Sequence, residues 1–149
     1  MVSNTVQNLN TMSRELADLH PTARAKCVEF LSACVAAGHP MMVVQTYRSF
    51  EEQEALYAKG RTRPGSIVTY ARGGESFHNY RCAWDVCFCD TKTGKLSWDG
   101  PWESVGEIAG RLGINWGGNF VHPDRPHFDY HPEESLKDLK DRAYIRQIA

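Results

Sequence analysis

The residues best placed to do chemistry lie in two short stretches, Ser76-Phe77-His78-Asn79-Tyr80-Arg81-Cys82-Ala83-Trp84-Asp85 and Pro123-Asp124-Arg125-Pro126-His127-Phe128-Asp129-Tyr130-His131. The first sets a histidine seven residues before an aspartate. Strand alternation puts Asp85 on the face of Ala83, Cys87 and Cys89, while Trp84, Val86 and Phe88 point the other way, toward a core. A carboxylate there is costly to bury without a partner, and a metal ion is one such partner. In the second stretch the same alternation gives His127, Asp129 and His131 one face, and Phe128 and Tyr130 the other. His78, Asp85 and His127 together offer three nitrogen or oxygen ligands with a fourth position left for water. That is the donor count of catalytic zinc, which lowers the pKa of water toward about 7. Asp124 can point a carboxylate into the same cavity and take a proton. Arg48 can supply fixed positive charge where an oxyanion develops.

Each residue alone also has an ordinary reading. A single histidine at a strand edge is usually a surface or satisfied core residue, Asp85 a strand-edge carboxylate, and Arg48 a surface ion-pair partner. His20, His39 and His122 sit beside proline or glycine and read as loop residues, and His131, before Pro132, as a helix-entry residue. Trp116 reads as core, or as the wall of a cleft that binds substrate beside Gly117 and Gly118. Of the five cysteines, Cys27 and Cys34 are a heptad apart in a helical stretch and read as small core residues. Cys82, Cys87 and Cys89 crowd together, but C-x4-C-x-C lacks the paired knuckle of a structural zinc site, so reduced thiols in a strand are the better reading.

The elements that must position these residues follow from the local signals. A first helix opens at Pro21 and stops at Gly38, with Val28, Leu31 and Val35 joining Cys27 and Cys34 in an apolar stripe. Met41–Tyr47 reads as a strand. Ser49 and Glu52 form a capping box for a short helix ending around Gly60, and residues 61–75 form a long loop of the kind that is often functional. Cys82–Cys89 is a second strand, and Trp102–Leu112 a helix closed by Gly113. Residues 126–131 are a further strand, and Pro132 starts a charged C-terminal helix. Strands lie too unevenly for repeated βαβ units, so the fold class is α+β with a small, mainly antiparallel sheet.

Length and composition bound the rest. A chain of 149 residues suits one domain, 1–149, with residues 1–12 as a loose arm. Apolar residues make up 42% and charged residues 23%, the balance of a globular protein. A formal charge of -1 provides no global basic field, which argues against nucleic acid or an anionic membrane as partner. The N-terminus lacks a signal-peptide pattern, and no run approaches the roughly 20 apolar residues of a membrane span. The expectation is cytoplasmic synthesis as a monomer.

Four blocks in order carry a resemblance to a known family: Gln45-Thr46-Tyr47-Arg48-Ser49, Ser76-Phe77-His78 through Asp85, Gly113-Ile114-Asn115-Trp116-Gly117-Gly118, and Asp124-Arg125-Pro126-His127-Phe128. They resemble the zinc peptidases that include VanX- and VanY-like D-alanyl-D-alanine peptidases and phage L-alanyl-D-glutamate endopeptidases. The S-x-H-x6-D element with its later D-x2-H is the specific part. The resemblance implies a Hedgehog/DD-peptidase-like fold with Zn2+ at the sheet, held by His78, Asp85 and His127. It further implies Asp124 as general base, Arg48 as the substrate-polarising arginine and Ser76 as a substrate contact. An aspartate at 124, where the dipeptidase branch has glutamate, and the W-G-G-N-F stretch resemble the endopeptidase branch. The substrate implied is the peptidoglycan stem peptide, cut at the L-alanyl-D-glutamate bond. The implied setting is a phage endolysin without a cell-wall-binding module, reaching the wall through a holin. The rivals are a D-alanyl-D-alanine carboxypeptidase or dipeptidase on the same site, and a non-catalytic zinc-stabilised module. One departure stands out. Asn79-Tyr80-Arg81-Cys82 occupies a stretch where the family often has glycine, and Tyr80 and Arg81 are expected to reshape the cleft edge.

Overall fold

In a computed structural model, residues 12–148 are described, with side chains to residue 143. All but Met12 of the expected arm lies outside the described residues. Helix α1 (Pro21–Ala36) starts where proline at the first position predicts, with His20 accepting from Thr22 N–H at 3.2 Å. Its buried face is Ala23, Cys27, Phe30 and Cys34. The predicted stripe was rotated: Val28 is 51% and Val35 60% exposed. Phe30 supplies the bulk on the inner face, and small cysteines let it approach the sheet.

Strand β1 (Met41–Gln45) ends two residues earlier than the apolar run predicts, because the register slips between Val43 and Gln45. Helix α2 (Phe50–Ala58) carries the capping box in full, Glu52 N–H to Ser49 Oγ at 3.0 Å and Ser49 N–H to Glu52 Oε1 at 2.7 Å. Strand β2 (Ala83–Cys89) is the centre of a five-stranded sheet. Helix α3 (Trp102–Arg111) buries Trp102, Val105, Ile108 and Ala109. It closes in a Schellman motif, with Gly113 at φ 75° and Ile114 N–H bonded to Ala109 O at 2.9 Å.

Two short strands had no sequence signal: β3 (Leu96–Ser97) and β4 (Asn115–Trp116). Two residues are too few to show alternation, and each exists because a longer neighbour pairs with it. Strand β5 (His127–Asp129) is shorter than the predicted 126–131. The last helix, α4 (Leu136–Ile148), starts at Leu136 rather than Pro132. Ser135 is the better N-terminal signal, since its Oγ accepts from Asp138 N–H at 3.2 Å and Asp138 accepts from Ser135 N–H at 2.9 Å.

All pairings among β1, β2, β4 and β5 are antiparallel, in the order β1-β2-β5-β4, as the α+β reading requires. On one face Trp84, Val86, Phe128 and Trp116 pack against α1 and α3, with Phe30 4.6 Å from Phe128 between ring centroids. On the other face, Gln45, Asp85 and His127 fall in one row across three strands, because Gln45 pairs with Asp85 and Asp85 with His127. Gly117 lets the Asp124–His127 turn press against the sheet. A methyl there would collide with the Asp124 carbonyl oxygen and lie 2.9 Å from His127 Cβ. Gly117→Ala should therefore lower stability by about 1–3 kcal/mol. Denaturant unfolding measures this, and an unchanged midpoint would show that the turn yields freely.

Candidate metal centre and active site

His78 is delivered by a 3-10 turn, Phe77–Tyr80, immediately before β2. Ser76 caps it, its Oγ accepting from His78 N–H at 3.2 Å. The buried Asn79 side chain ties the turn to its surroundings. Its Oδ1 accepts from Gly74 N–H at 3.0 Å and Ser76 N–H at 3.2 Å, and its Nδ2 donates to the Arg48 carbonyl at 2.9 Å. Arg48 N–H in turn donates to the His78 carbonyl at 3.1 Å. The two motif blocks, thirty residues apart in sequence, are thus bonded backbone to backbone.

His78 Nε2 stands 3.1 Å from Asp85 Oδ1 and 3.3 Å from His127 Nδ1, and His127 Nδ1 is 3.6 Å from Asp85 Oδ1. Tetrahedral zinc with bonds of about 2.0–2.1 Å spaces its ligand atoms about 3.3 Å apart, so the triangle fits such an ion. The far nitrogens reinforce the fit. His78 Nδ1 faces the Thr46 carbonyl at 2.7 Å, an acceptor only, so Nδ1 carries the hydrogen and Nε2 keeps its lone pair. His127 Nε2 faces the Asp129 carboxylate at 2.7 Å, which leaves Nδ1 as the donor atom. The acceptors behind both rings fix the hydrogen on the far nitrogens, so a metal that displaces the near proton meets two lone pairs aimed at one point. Among the described residues this is the one His/Cys/Asp/Glu group able to hold a metal.

The cluster floors a cleft of about 760 Å³. Arg48, 8% exposed, donates to Gln53 Oε1 at 2.8 Å and to Gln45 Oε1, and lies 4.0 Å from Asp85. The fully buried Gln53 donates onward to the Ala71 carbonyl at 2.8 Å, so one amide steadies both the arginine and the cleft wall. Asp124 stands at the rim. Crowding by protein and the Asp85 charge outweigh the nearby cations and raise its carboxyl above the usual range. One wall is Ile67–Ala71 and the other Phe120–Asp124. They meet in a stack of Tyr70 on His122, 4.0 Å between centroids.

Ser76 lines this cleft, but Trp116 does not. Trp116 is core: it pairs with Phe128 across β4 and β5, and its Nε1 donates to the Arg125 carbonyl at 2.8 Å, bracing the Asp124–His127 turn from behind. Tyr80 and Arg81 also leave the cleft edge alone. Tyr80 packs on Phe50, and Arg81 lies over Tyr47. Cys82, Cys87 and Cys89 are free thiols, and burial pushes Cys82 up to about 11, so it holds its proton. Gln45, Gln53, Asn79 and the Thr46 carbonyl went unread in sequence. Amides and backbone carry no motif of their own, and only the capping box hints that the residue after Glu52 faces inward. Asp129 and His131 were visible on the His127 face but without a role.

Fold and site together define a metal-dependent hydrolase. A family model described as D-alanyl-D-alanine carboxypeptidase matches residues 69–130. The peptidoglycan L-alanyl-D-glutamate endopeptidase CwlK of Bacillus subtilis is 39% identical over 127 residues, 78% of this chain and 75% of that protein. In fold the chain is similar to the L-Ala D-Glu endopeptidase ChiX of Serratia marcescens, at 22% identity over 78% of this chain and 83% of that one, with a TM-score of 0.53. It is likewise similar to VanYB in complex with D-alanine-D-alanine, at 15% identity over 88% and 84%, with a TM-score of 0.57. The chain belongs to this D-alanyl-D-alanine carboxypeptidase-like family of metallopeptidases.

The electrostatics give the metal-free protein a measurable property. Burial alone would lower His127, but hydrogen bonds to Asp129 and Asp85 and their charges raise it to about 10. At pH 7 a proton therefore sits where a metal would, and an incoming ion must displace it. Calorimetric zinc titrations at pH 7 in buffers of different ionisation enthalpy should show about one proton released per ion. Buffer-independent heats would contradict this.

Proposed function

We propose that the protein is a zinc-dependent peptidoglycan endopeptidase that hydrolyses the L-alanyl-D-glutamate bond of stem peptides. The carrying observation is the convergence of His78 Nε2, Asp85 Oδ1 and His127 Nδ1 on the floor of a cleft that also presents Arg48 and Asp124. When bound there by these three residues, zinc supplies Lewis-acid polarisation of a carbonyl and acidification of water. The chain's own groups do the rest. Arg48, held by two glutamines in a buried position, offers a fixed cation to the oxyanion without reorganising. Asp124 takes the proton from the attacking water at its carboxylate and delivers it to the departing amine. The cleft walls and Ser76 receive the peptide.

The identity to CwlK supports the choice of bond. A carboxypeptidase would need a cation for a free C-terminal carboxylate, and the candidates are committed elsewhere. Arg72 pairs with Glu54 at 3.0 Å, Arg61 lies over Tyr57, Arg81 over Tyr47, and Arg63 faces a different cavity. Among the described residues Arg48 is the one arginine or lysine lining the cleft. A non-catalytic zinc module has no use for Arg48 and Asp124 at the same opening.

Mass spectrometry of digested muropeptides tests bond and catalysis together. The expected cut separates L-alanine from D-glutamate, whereas released D-alanine would refute this reading. In the same assay Asp124→Ala should lose a factor of about 100 or more while retaining zinc, and full activity would remove Asp124 from the base role.

The proposal extends to an endolysin that reaches the wall through a holin. A bacterial host making the chain alone should stay intact until its membrane is permeabilised and then lyse. Lysis without permeabilisation would argue for another route.

A further inference from the structure

Behind His127, on the side away from the cleft, lies a polar cluster that the proposed reaction does not use. Asp129 is only 1% exposed, a depth at which a lone carboxylate is strongly disfavoured. Its Oδ1 accepts from His131 Nε2 at 2.8 Å and from Asn115 Nδ2 at 2.9 Å, which leaves Oδ2 to His127 Nε2 at 2.7 Å. His131 Nδ1 faces the Glu134 carbonyl at 2.6 Å. His131 Nδ1 faces a carbonyl, and its Nε2 lies closer to Asp129 Oδ1 than to the Asn115 amide 3.4 Å away, so each nitrogen donates and the ring carries positive charge. The Asp129 charge is balanced by His131, and His127 meets a carboxylate that orients it without needing to take its proton.

The cluster is also braced from the other half of the site. Phe77 stacks on the His131 ring, 3.8 Å between centroids and 12° from parallel. Phe77 precedes His78, so the turn that carries one metal-facing histidine clamps the support of the other. Asn115 comes from β4, whose pairing with β5 sets Asn115 opposite Asp129. Three elements therefore converge on one carboxylate.

We infer that Asp129, held by His131 and Asn115, is the positioning residue that fixes His127 with Nδ1 toward His78 and Asp85, so that metal affinity is set by the groups behind the imidazole as well as by those in the cleft. This rests on the metal-centre reading above. Without the carboxylate, His127 could rotate or carry its hydrogen on Nδ1, and either change removes a ligand atom. Outer partners of metal-bound histidines typically contribute a factor of about 10–100 in metal affinity.

The test is zinc affinity by competition with a chromophoric chelator, with the absorption spectrum of the cobalt-substituted protein and the melting curve of the metal-free protein alongside. In Asp129→Asn, zinc affinity should fall by about 10–100-fold and the cobalt bands should shift, measured at a temperature where the metal-free melting curve shows the variant folded. His131→Gln keeps a donor toward Asp129 but loses the charge, and should weaken zinc by a smaller, several-fold amount. Wild-type affinity and an unchanged cobalt spectrum in Asp129→Asn would overturn the inference. Should that variant fail to fold, wild-type affinity in both His131→Gln and Asn115→Ala would overturn it equally. A wild-type protein that binds no zinc would instead refute the metal-centre reading, a separate outcome.

Discussion

The pairing of β2 with β5 is the constraint from which the rest follows. Asp85 opposes His127 and Trp84 opposes Phe128, and because side chains alternate, one register determines both faces. A shift by one residue would turn the site into the core and the core into the site. The hydrophobic burial of Trp84 and Phe128 beneath Phe30 thus holds the polar row above it in place. Large core residues next to each polar one make the alternative registers costly, since each buried aromatic contributes on the order of 1.5–3 kcal/mol. The site is precise because its strands have no other way to pack.

Given that register, the histidines are sorted by what their nitrogens face. An acceptor behind a ring forces a hydrogen there and frees the nitrogen in front, and a second acceptor in front makes the ring a cation. His78 and His127 have an acceptor fixed behind the ring and share the Asp85 carboxylate in front, where a metal can replace the proton, whereas His131 has the Asp129 carboxylate on one side and a carbonyl on the other. Asp85 shows the balance of burial against charge. Burial alone would raise its carboxyl, yet the two histidines hold it well below the usual range, ready to act as an anion. Asp124, farther out and beside that same anion, is pushed the other way. Two carboxylates of one type in one cleft acquire opposite tendencies from their neighbours.

Much of this was legible in sequence. The alternation through Trp84-Asp85-Val86 and His127-Phe128-Asp129 announced the two faces, and the capping box at Ser49 located the start of α2. Where side chains answer to distant partners, the reading failed. The stripe on α1 pointed to Val28 and Val35, but the sheet beneath offered a place for Phe30 instead. Trp116 read as core or as a cleft wall beside its glycines, and it is core: those glycines serve to admit its indole and the Asp124 turn. The amides that steady Arg48 act across the fold at bonds no spacing rule describes.

Between His78 and Asp85 the chain has Arg81 where a glycine would be the unstrained choice. The chain must leave a 3-10 turn and enter a strand within a few residues, and it does so through Arg81 at φ 65°, the one non-glycine with positive φ among the described residues. That conformation costs about 1–2 kcal/mol for an L residue, so something must hold it. Arg81 donates to the Asp18 carbonyl at 2.9 Å and lies over the Tyr47 ring at 3.9 Å, and its own carbonyl accepts from His20 N–H at 2.9 Å. A glycine would adopt the turn without strain but could not reach Asp18 or Tyr47. The arginine exchanges local ease for a tie between the segment before α1, the Tyr47-Arg48 corner and the start of β2. Those are the pieces that bring His78 to Asp85 and Arg48 to both, so the departure falls on the outer side of the site and serves its assembly rather than its cleft.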